Sequence, residues 1–200
     1  MYDRSVKQTE PNPGVPEELD VRLKCGAHHE AGHMVIAAAQ GLRLRPEGLM
    51  LDASGDGVAW YHKQPDGSDL SRERIIVATL AGFRAENRFR EERSYRERGE
   101  LEVTLSPDGR EARKLLMELQ GEYFSNERKQ GNRLDSLIEQ HWLTIKALAT
   151  ALLAKNPEPL QPLKSGATWS HQKTARYLVG NEVVSILVRC GIVADRDPDR

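Results

Sequence analysis

The chain has 200 residues, 38% hydrophobic and 30% charged, which suits one globular core and excludes a long multidomain machine. Its mean hydropathy of -0.60 is too polar for a membrane-embedded protein, and the apolar stretch Met34 to Ala39 is far short of the ~20 residues that cross a bilayer. Lys plus Arg number 29 against 30 Asp plus Glu, a net charge of -1, so nothing global advertises a nucleic-acid partner. No basic-apolar-small leader is evident, and cytoplasmic residence is the expectation. Cys25 and Cys190 are too few for a disulfide framework or a thiolate zinc cluster and read as buried thiols. A bound metal would therefore draw on imidazole and carboxylate.

Residues 1–16 carry Pro11, Pro13, Gly14 and Pro16 without apolar periodicity and read as a flexible lead-in. Pro16 and the acidic Glu17, Glu18 and Asp20 suit the start of a helix, and Gly41 suits its end, so Glu17 to Gln40 is predicted helical with a candidate break near Gly26. Leu49-Met50-Leu51 and Val58-Ala59-Trp60-Tyr61 flank a Gly/Asp-rich turn and predict a hairpin. From Ser71 to Glu92, Ile75, Ile76, Thr79, Leu80 and Phe83 recur at helical spacing, and the small Ala78, Ala81, Gly82 and Ala85 beside them invite close packing. The Arg/Glu run from Arg84 to Glu102 alternates in sign and reads as a solvated helix end or loop.

Ser106-Pro107-Asp108 predicts a helix start with Ser106 as N-cap, leading through Ala112, Leu115, Leu116 and Leu119. Leu134 to Lys155 carries a wide apolar stripe through Leu137, Ile138, His141, Trp142, Ile145, Leu148, Ala149 and Leu152, ended by Asn156-Pro157. Asn181 to Cys190, capped by Asn181 and stopped by Gly191, predicts a last helix before a fraying tail beyond Ala194. The fold class expected is mainly α with a small antiparallel β-hairpin. No glycine-rich phosphate loop or internal repeat is found.

The chemistry lies in His28-His29-Glu30-Ala31-Gly32-His33, an HExxH pattern inside the first predicted helix. At ~100° per residue His29 and His33 share a face and can reach one zinc ion, while Glu30 beside them can take a proton from a metal-bound water that attacks a carbonyl. A chance HExxH is expected about 0.02 times in a chain of this composition. Gly32 weakens a helix by about 0.8–1 kcal/mol relative to alanine, a cost that makes sense where close packing beside a site demands it. A third ligand is still needed, and Glu86, Asp108 and His141 are the candidates. His28 projects about 100° from His29 and reads as supporting or surface. Tyr61 and His62 read as surface strand residues, and Val58 to His62, if an exposed edge, could pair with an extended substrate. Trp60, Trp142 and Trp169 read as core or interface anchors.

The motif His29-Glu30-Ala31-Gly32-His33 resembles the HEAGH form found in the zinc peptidase domain of the FtsH-type AAA protease family. Leu80-Ala81-Gly82-Phe83-Arg84-Ala85-Glu86 is similar to that family's small-residue helix ending in Ala-Glu. Ser106-Pro107-Asp108, with Glu111, Ala112 and Arg113 after it, looks like its Asp-led helix; Trp142 through Leu153 and Gly180-Asn181-Glu182-Val183 resemble its C-terminal helices. The resemblance implies a zincin-like, FtsH-peptidase-like helical fold, with a zinc peptidase core over 17–130 and a C-terminal helical part of the same domain over 131–200. It implies Zn2+ as cofactor, His29, His33 and Asp108 as ligands, Glu30 as general base and Glu86 as a group that orients a ligand from behind.

Nothing in the sequence matches the family's ATPase module, and the hairpin region matches it only loosely. The function expected is a stand-alone zinc metalloendopeptidase acting on flexible or unfolded polypeptide, as a homo-oligomer or with a separate ATPase partner. The alternatives are a catalytically silent binding module of the same fold, or another zinc hydrolase with a Glu third ligand.

Overall fold

A computed structural model of the chain describes residues 17–95, 99, 104–119, 123–160 and 174–192. The element order is α1 (Glu17–Ala39), β1 (Leu44–Asp52), β2 (Gly57–Tyr61), α2 (Asp69–Glu92), α3 (Pro107–Glu118), α4 (Tyr123–Leu153), β3 (Glu158–Pro159), β4 (Thr174–Leu178) and α5 (Gly180–Arg189). The protein is mainly helical, with a small antiparallel sheet in the order β2-β1-β4-β3. Among the described residues no helix is long and apolar enough to cross a membrane. The proline-rich lead-in, Trp169 and the tail beyond Ala194 lie outside the described residues.

The first helix is the centre of the molecule. Residues 30–38 are buried without interruption, the signature of a helix covered on every side rather than one with a wet face. It runs unbroken past Gly26, which has no room for a side chain: a Cβ there would fall 2.0 Å from the Gly55 carbonyl oxygen of the β1–β2 turn. Gly26 thus marks a close approach of backbone, not a break. Gly41, at φ +71°, ends the helix by letting the Leu42 N–H reach back 2.9 Å to the Ala37 carbonyl.

The predicted hairpin is present, but it is one half of a four-stranded sheet. β1 is longer than its apolar run, and its second edge is taken by β4, paired from Leu49↔Leu178 to Asp52↔Ala175. β3 is two residues long and holds Pro159, which confines it to the sheet edge. The β1–β2 turn is tied by Asp52, whose Oδ1 accepts from Ser54 N at 2.8 Å, Ser54 Oγ at 2.7 Å and Asp56 N at 3.0 Å.

Helix α2 begins two residues earlier than its apolar period, because Ser68 Oγ accepts from Ser71 N at 3.1 Å and sets the cap. It crosses α1 where Gly32 meets Ala81 and Ala85; a Cβ on Gly32 would lie 2.6 Å from Ala85 Cβ and 2.7 Å from Ala81 O. Helix α3 starts as expected, with Pro107 in its first turn and Ser106 Oγ accepting from Gly109 N at 2.9 Å. Ala112, Leu115 and Leu116 seat it on Ile75 and Ile76 of α2.

Helix α4 runs from Tyr123, well ahead of the Leu134 at which its apolar stripe begins. Residues 125–129 are mostly exposed, and this stretch carries no hydrophobic period to read. From Leu134 to Leu152 the stripe joins the same core as α1, β1 and α5. Helix α5 starts at Gly180, not Asn181, and is closed by Glu182 Oε2 accepting from Val179 N at 3.3 Å; Asn181 lies in its first turn and is not the cap. Gly191, at φ +80°, follows its end as predicted. Of the cysteines, Cys25 is buried but Cys190, past the end of α5, is exposed.

Candidate metal centre

Three elements converge on one point. α1 supplies His29 and His33, one helical turn apart; α2 passes behind them; the first turn of α3 brings in Asp108. Asp108 Oδ2 lies 3.4 Å from His29 Nε2 and 3.3 Å from His33 Nε2, and the three ligand atoms are all within 4.8 Å of one another. Two donors bound at zinc distances of ~2.0–2.1 Å in a tetrahedron stand about 3.3 Å apart. The carboxylate oxygen stands at about that spacing from each imidazole, within a group that spans up to 4.8 Å.

The tautomers fit as well. His33 Nδ1 lies 2.8 Å from the Ala78 carbonyl oxygen, which can only accept, so in the neutral ring the hydrogen sits on Nδ1 and the lone pair on Nε2. His29 Nδ1 likewise donates to Glu86 Oε2 at 3.1 Å. Glu86 is itself held by Arg90, whose Nε and Nη2 donate to Oε1 at 2.9 and 2.7 Å. An Arg–Glu–His relay thus fixes the orientation of the first imidazole, and a backbone carbonyl fixes the second, an arrangement common behind metal-ligating histidines. Two imidazole nitrogens and one carboxylate oxygen are a donor set that suits zinc.

Without a metal the cluster holds strongly shifted charges. Burial opposes charge on His29, but the hydrogen bonds to Asp108 and Glu86 outweigh it and raise the ring to about 9. Burial would raise Asp108; its hydrogen bonds to His29 and His33 overcome this and hold it far below the ordinary carboxylate range. The His29–Asp108 pair therefore favours keeping a proton on His29.

Glu30 is buried against Gly57 of β2, where a Cβ would come 2.5 Å from Glu30 Cγ. Burial raises its carboxyl above the usual value, partly countered by His29, His33 and Lys63. Gly82 closes the other side: a Cβ there would fall 2.4 Å from His33 Nε2 and 2.6 Å from His29 Nε2. The bare backbone of α2 is what leaves room for the two rings. By spacing alone Gly82 is one of several small packing residues; the close approach to both imidazole Nε2 atoms is its particular contribution.

The other candidates fall elsewhere. Among the described residues His141, on α4, is not part of the group, and Glu86 faces the back of His29 instead of joining the ligand atoms. His28 is neither a ligand nor on the surface: it is buried, stacked on Phe89 at 4.1 Å between ring centroids, with Lys24 O 2.7 Å from its Nδ1. Tyr61 is buried too, not a surface residue, and meets Thr79 Oγ1 at 3.4 Å; burial pushes its hydroxyl up to about 12. His62 is exposed. Trp142 is a buried anchor whose Nε1 donates to Glu92 Oε1 at 2.7 Å, while Trp60 is half-buried. Lys63, which no motif singles out, reaches the edge of the centre, 3.8 Å from Asp108 Oδ1. Compared with protein-family models, curated proteins and solved structures, the chain gives no match.

Proposed function

We propose that the chain is a zinc-dependent metallopeptidase, similar in its site to the peptidase domain of FtsH-type proteases, that hydrolyses peptide bonds in flexible or unfolded polypeptide. The observation that carries this reading is the 3.3–3.4 Å spacing of Asp108 Oδ2 from both Nε2 atoms, with each Nδ1 already engaged from behind. His29, His33 and Asp108 would hold the ion. Zinc bound there would supply Lewis acidity, able to activate water at neutral pH and polarise a carbonyl oxygen.

The remaining work belongs to this chain's own groups. Glu30, next to a ligand histidine and walled by Gly57, takes a proton from the attacking water onto its carboxylate and returns it to the nitrogen of the leaving amine. Its raised affinity for a proton suits that shuttle, because a carboxylate of ordinary acidity holds the proton too weakly to carry it. β2 forms one edge of the sheet, and an extended substrate adding to that edge would lie beside Glu30.

The test is cleavage of an unfolded polypeptide by the zinc-loaded chain and by Glu30→Gln. The variant should retain its zinc and lose activity by about 10²–10⁴-fold. Equal cleavage by both would remove Glu30 as the base. Zinc bound by both with no cleavage by either would leave a silent binding module of the same fold.

A further inference from the structure

Lys63 lies two residues beyond β2 and spans to α3 at the margin of the metal centre. Its Nζ donates to Glu111 Oε2 at 3.0 Å and stands 3.8 Å from Asp108 Oδ1, with the Tyr61 ring centroid 5.2 Å away. The two oxygens of Asp108 consequently serve different neighbours: Oδ2 faces the imidazoles, and Oδ1 faces the ammonium. Glu111 sits three residues after Asp108 on α3, a spacing that puts both carboxylates on one helix face. A second carboxylate thus stands next to the ligand group and is engaged by the same lysine.

We propose that Lys63 is a positioning residue that keeps the coordination of the metal open, by engaging Asp108 Oδ1 and Glu111 so that Asp108 binds through one oxygen and Glu111 stays off the ion. The inference rests on the metal reading above. Catalysis at a zinc centre needs a position not filled by protein. Free carboxylate oxygens close to a divalent cation tend to fill it, and an ammonium bound to those oxygens opposes this in two ways. It donates a hydrogen bond to Glu111 Oε2, and its charge, 3.8 Å from Asp108 Oδ1, attracts that oxygen and repels the cation that would recruit either carboxylate. The arrangement gives up metal affinity for an open position. A lysine that merely stapled β2 to α3 would have the opposite effect on binding, since cutting a staple loosens the ligands.

The two roles separate by the sign of one measurement. The full chain is loaded with Co2+ for its visible spectrum and with Zn2+ in competition with a chromophoric chelator. Lys63→Met should bind zinc about tenfold more tightly, because a repelling charge is gone and donors are released. Its cobalt bands should lose intensity as coordination rises from four towards six. Lys63→Arg should keep the unmodified spectrum, and adding Glu111→Gln to Lys63→Met should recover part of the lost intensity. If Lys63→Met does not fold, Lys63→Gln carries the same expectation for zinc affinity. A Lys63→Met spectrum identical to that of the unmodified chain, or weaker zinc binding with the fold intact, overturns the proposal. An unmodified chain that takes up neither metal overturns the metal reading itself, an outcome seen without any variant.

Discussion

Gly82 on α2 lies against His33 on α1 so closely that a single added carbon would fall 2.4 Å from the ring's Nε2, the nitrogen that faces Asp108. Real side chains do not approach to that distance, so Gly82→Ala must displace one or both imidazoles. Alanine is the better helix former by about 1 kcal/mol, and α2 itself should stay helical. The expected result is a loss of zinc affinity of about 10–100-fold with unchanged helical content, measured by chelator competition and circular dichroism on the same samples.

Glu86 would act on a bound metal through His29, whose Nδ1 it meets at 3.1 Å. Glu86→Gln keeps an acceptor for Nδ1 but removes the charge that Arg90 holds in place. Outer partners of ligand histidines contribute roughly 10–100-fold to metal affinity; the glutamine variant should fall at the low end of that range and Glu86→Ala at the high end. Isothermal titration with zinc distinguishes the two.

The metal-free protein should lose stability on the alkaline side. His29 is raised from 6.5 to about 9 by hydrogen bonds that overcome its burial, so its contribution is complete below 6.5 and disappears as pH rises towards 9. Asp108 is depressed, so its contribution is present above the ordinary carboxylate value of 3.8 and is lost on acidification. Thermal melts in chelator should therefore show a falling Tm over about pH 6.5–9. Excess zinc should stabilise increasingly over that range, since it replaces the proton on the imidazole. Asp108→Asn should flatten the alkaline loss.

Away from the centre, Gly26→Ala tests the contact between α1 and the β1–β2 turn. The substitution favours helix by about 1 kcal/mol but drives a methyl group into the Gly55 carbonyl, 2.0 Å from the ideal Cβ position. Backbone cannot swing aside as a flexible side chain does. A net destabilisation of about 1–3 kcal/mol is expected from urea unfolding.

Much of this organisation was legible before any coordinates. HExxH placed two candidate ligands and a neighbouring acid together because helical spacing alone puts residues i and i+4 on one face. Ser106-Pro107 announced the start of α3, a signal carried by local cap chemistry. The side of Asp108 that faces the imidazoles depends instead on how α3 packs on α2, which is why three third ligands stood open on the residues alone. β4 escaped notice because Thr174 to Leu178 is short and weakly patterned, and the polar stretch Ser125 to Arg133 of α4 has no apolar period. Tyr61 reads as a surface strand residue because an aromatic ring with a polar atom can end a strand in solvent or sit in the core, and only the neighbouring Thr79 decides; for His28, of the two places left open, the stack on Phe89 decides for the interior. Lys63 carries no motif at all, since its significance arises from two carboxylates contributed by α3.

The most direct test of the central claim is a crystal of the chain grown with zinc, with anomalous differences measured across the zinc edge. A single strong peak should appear at ~2.0–2.2 Å from His29 Nε2, His33 Nε2 and one oxygen of Asp108. A fully occupied ion that leaves Asp108 unbound, or no peak between the two imidazoles at saturating zinc, would contradict the account.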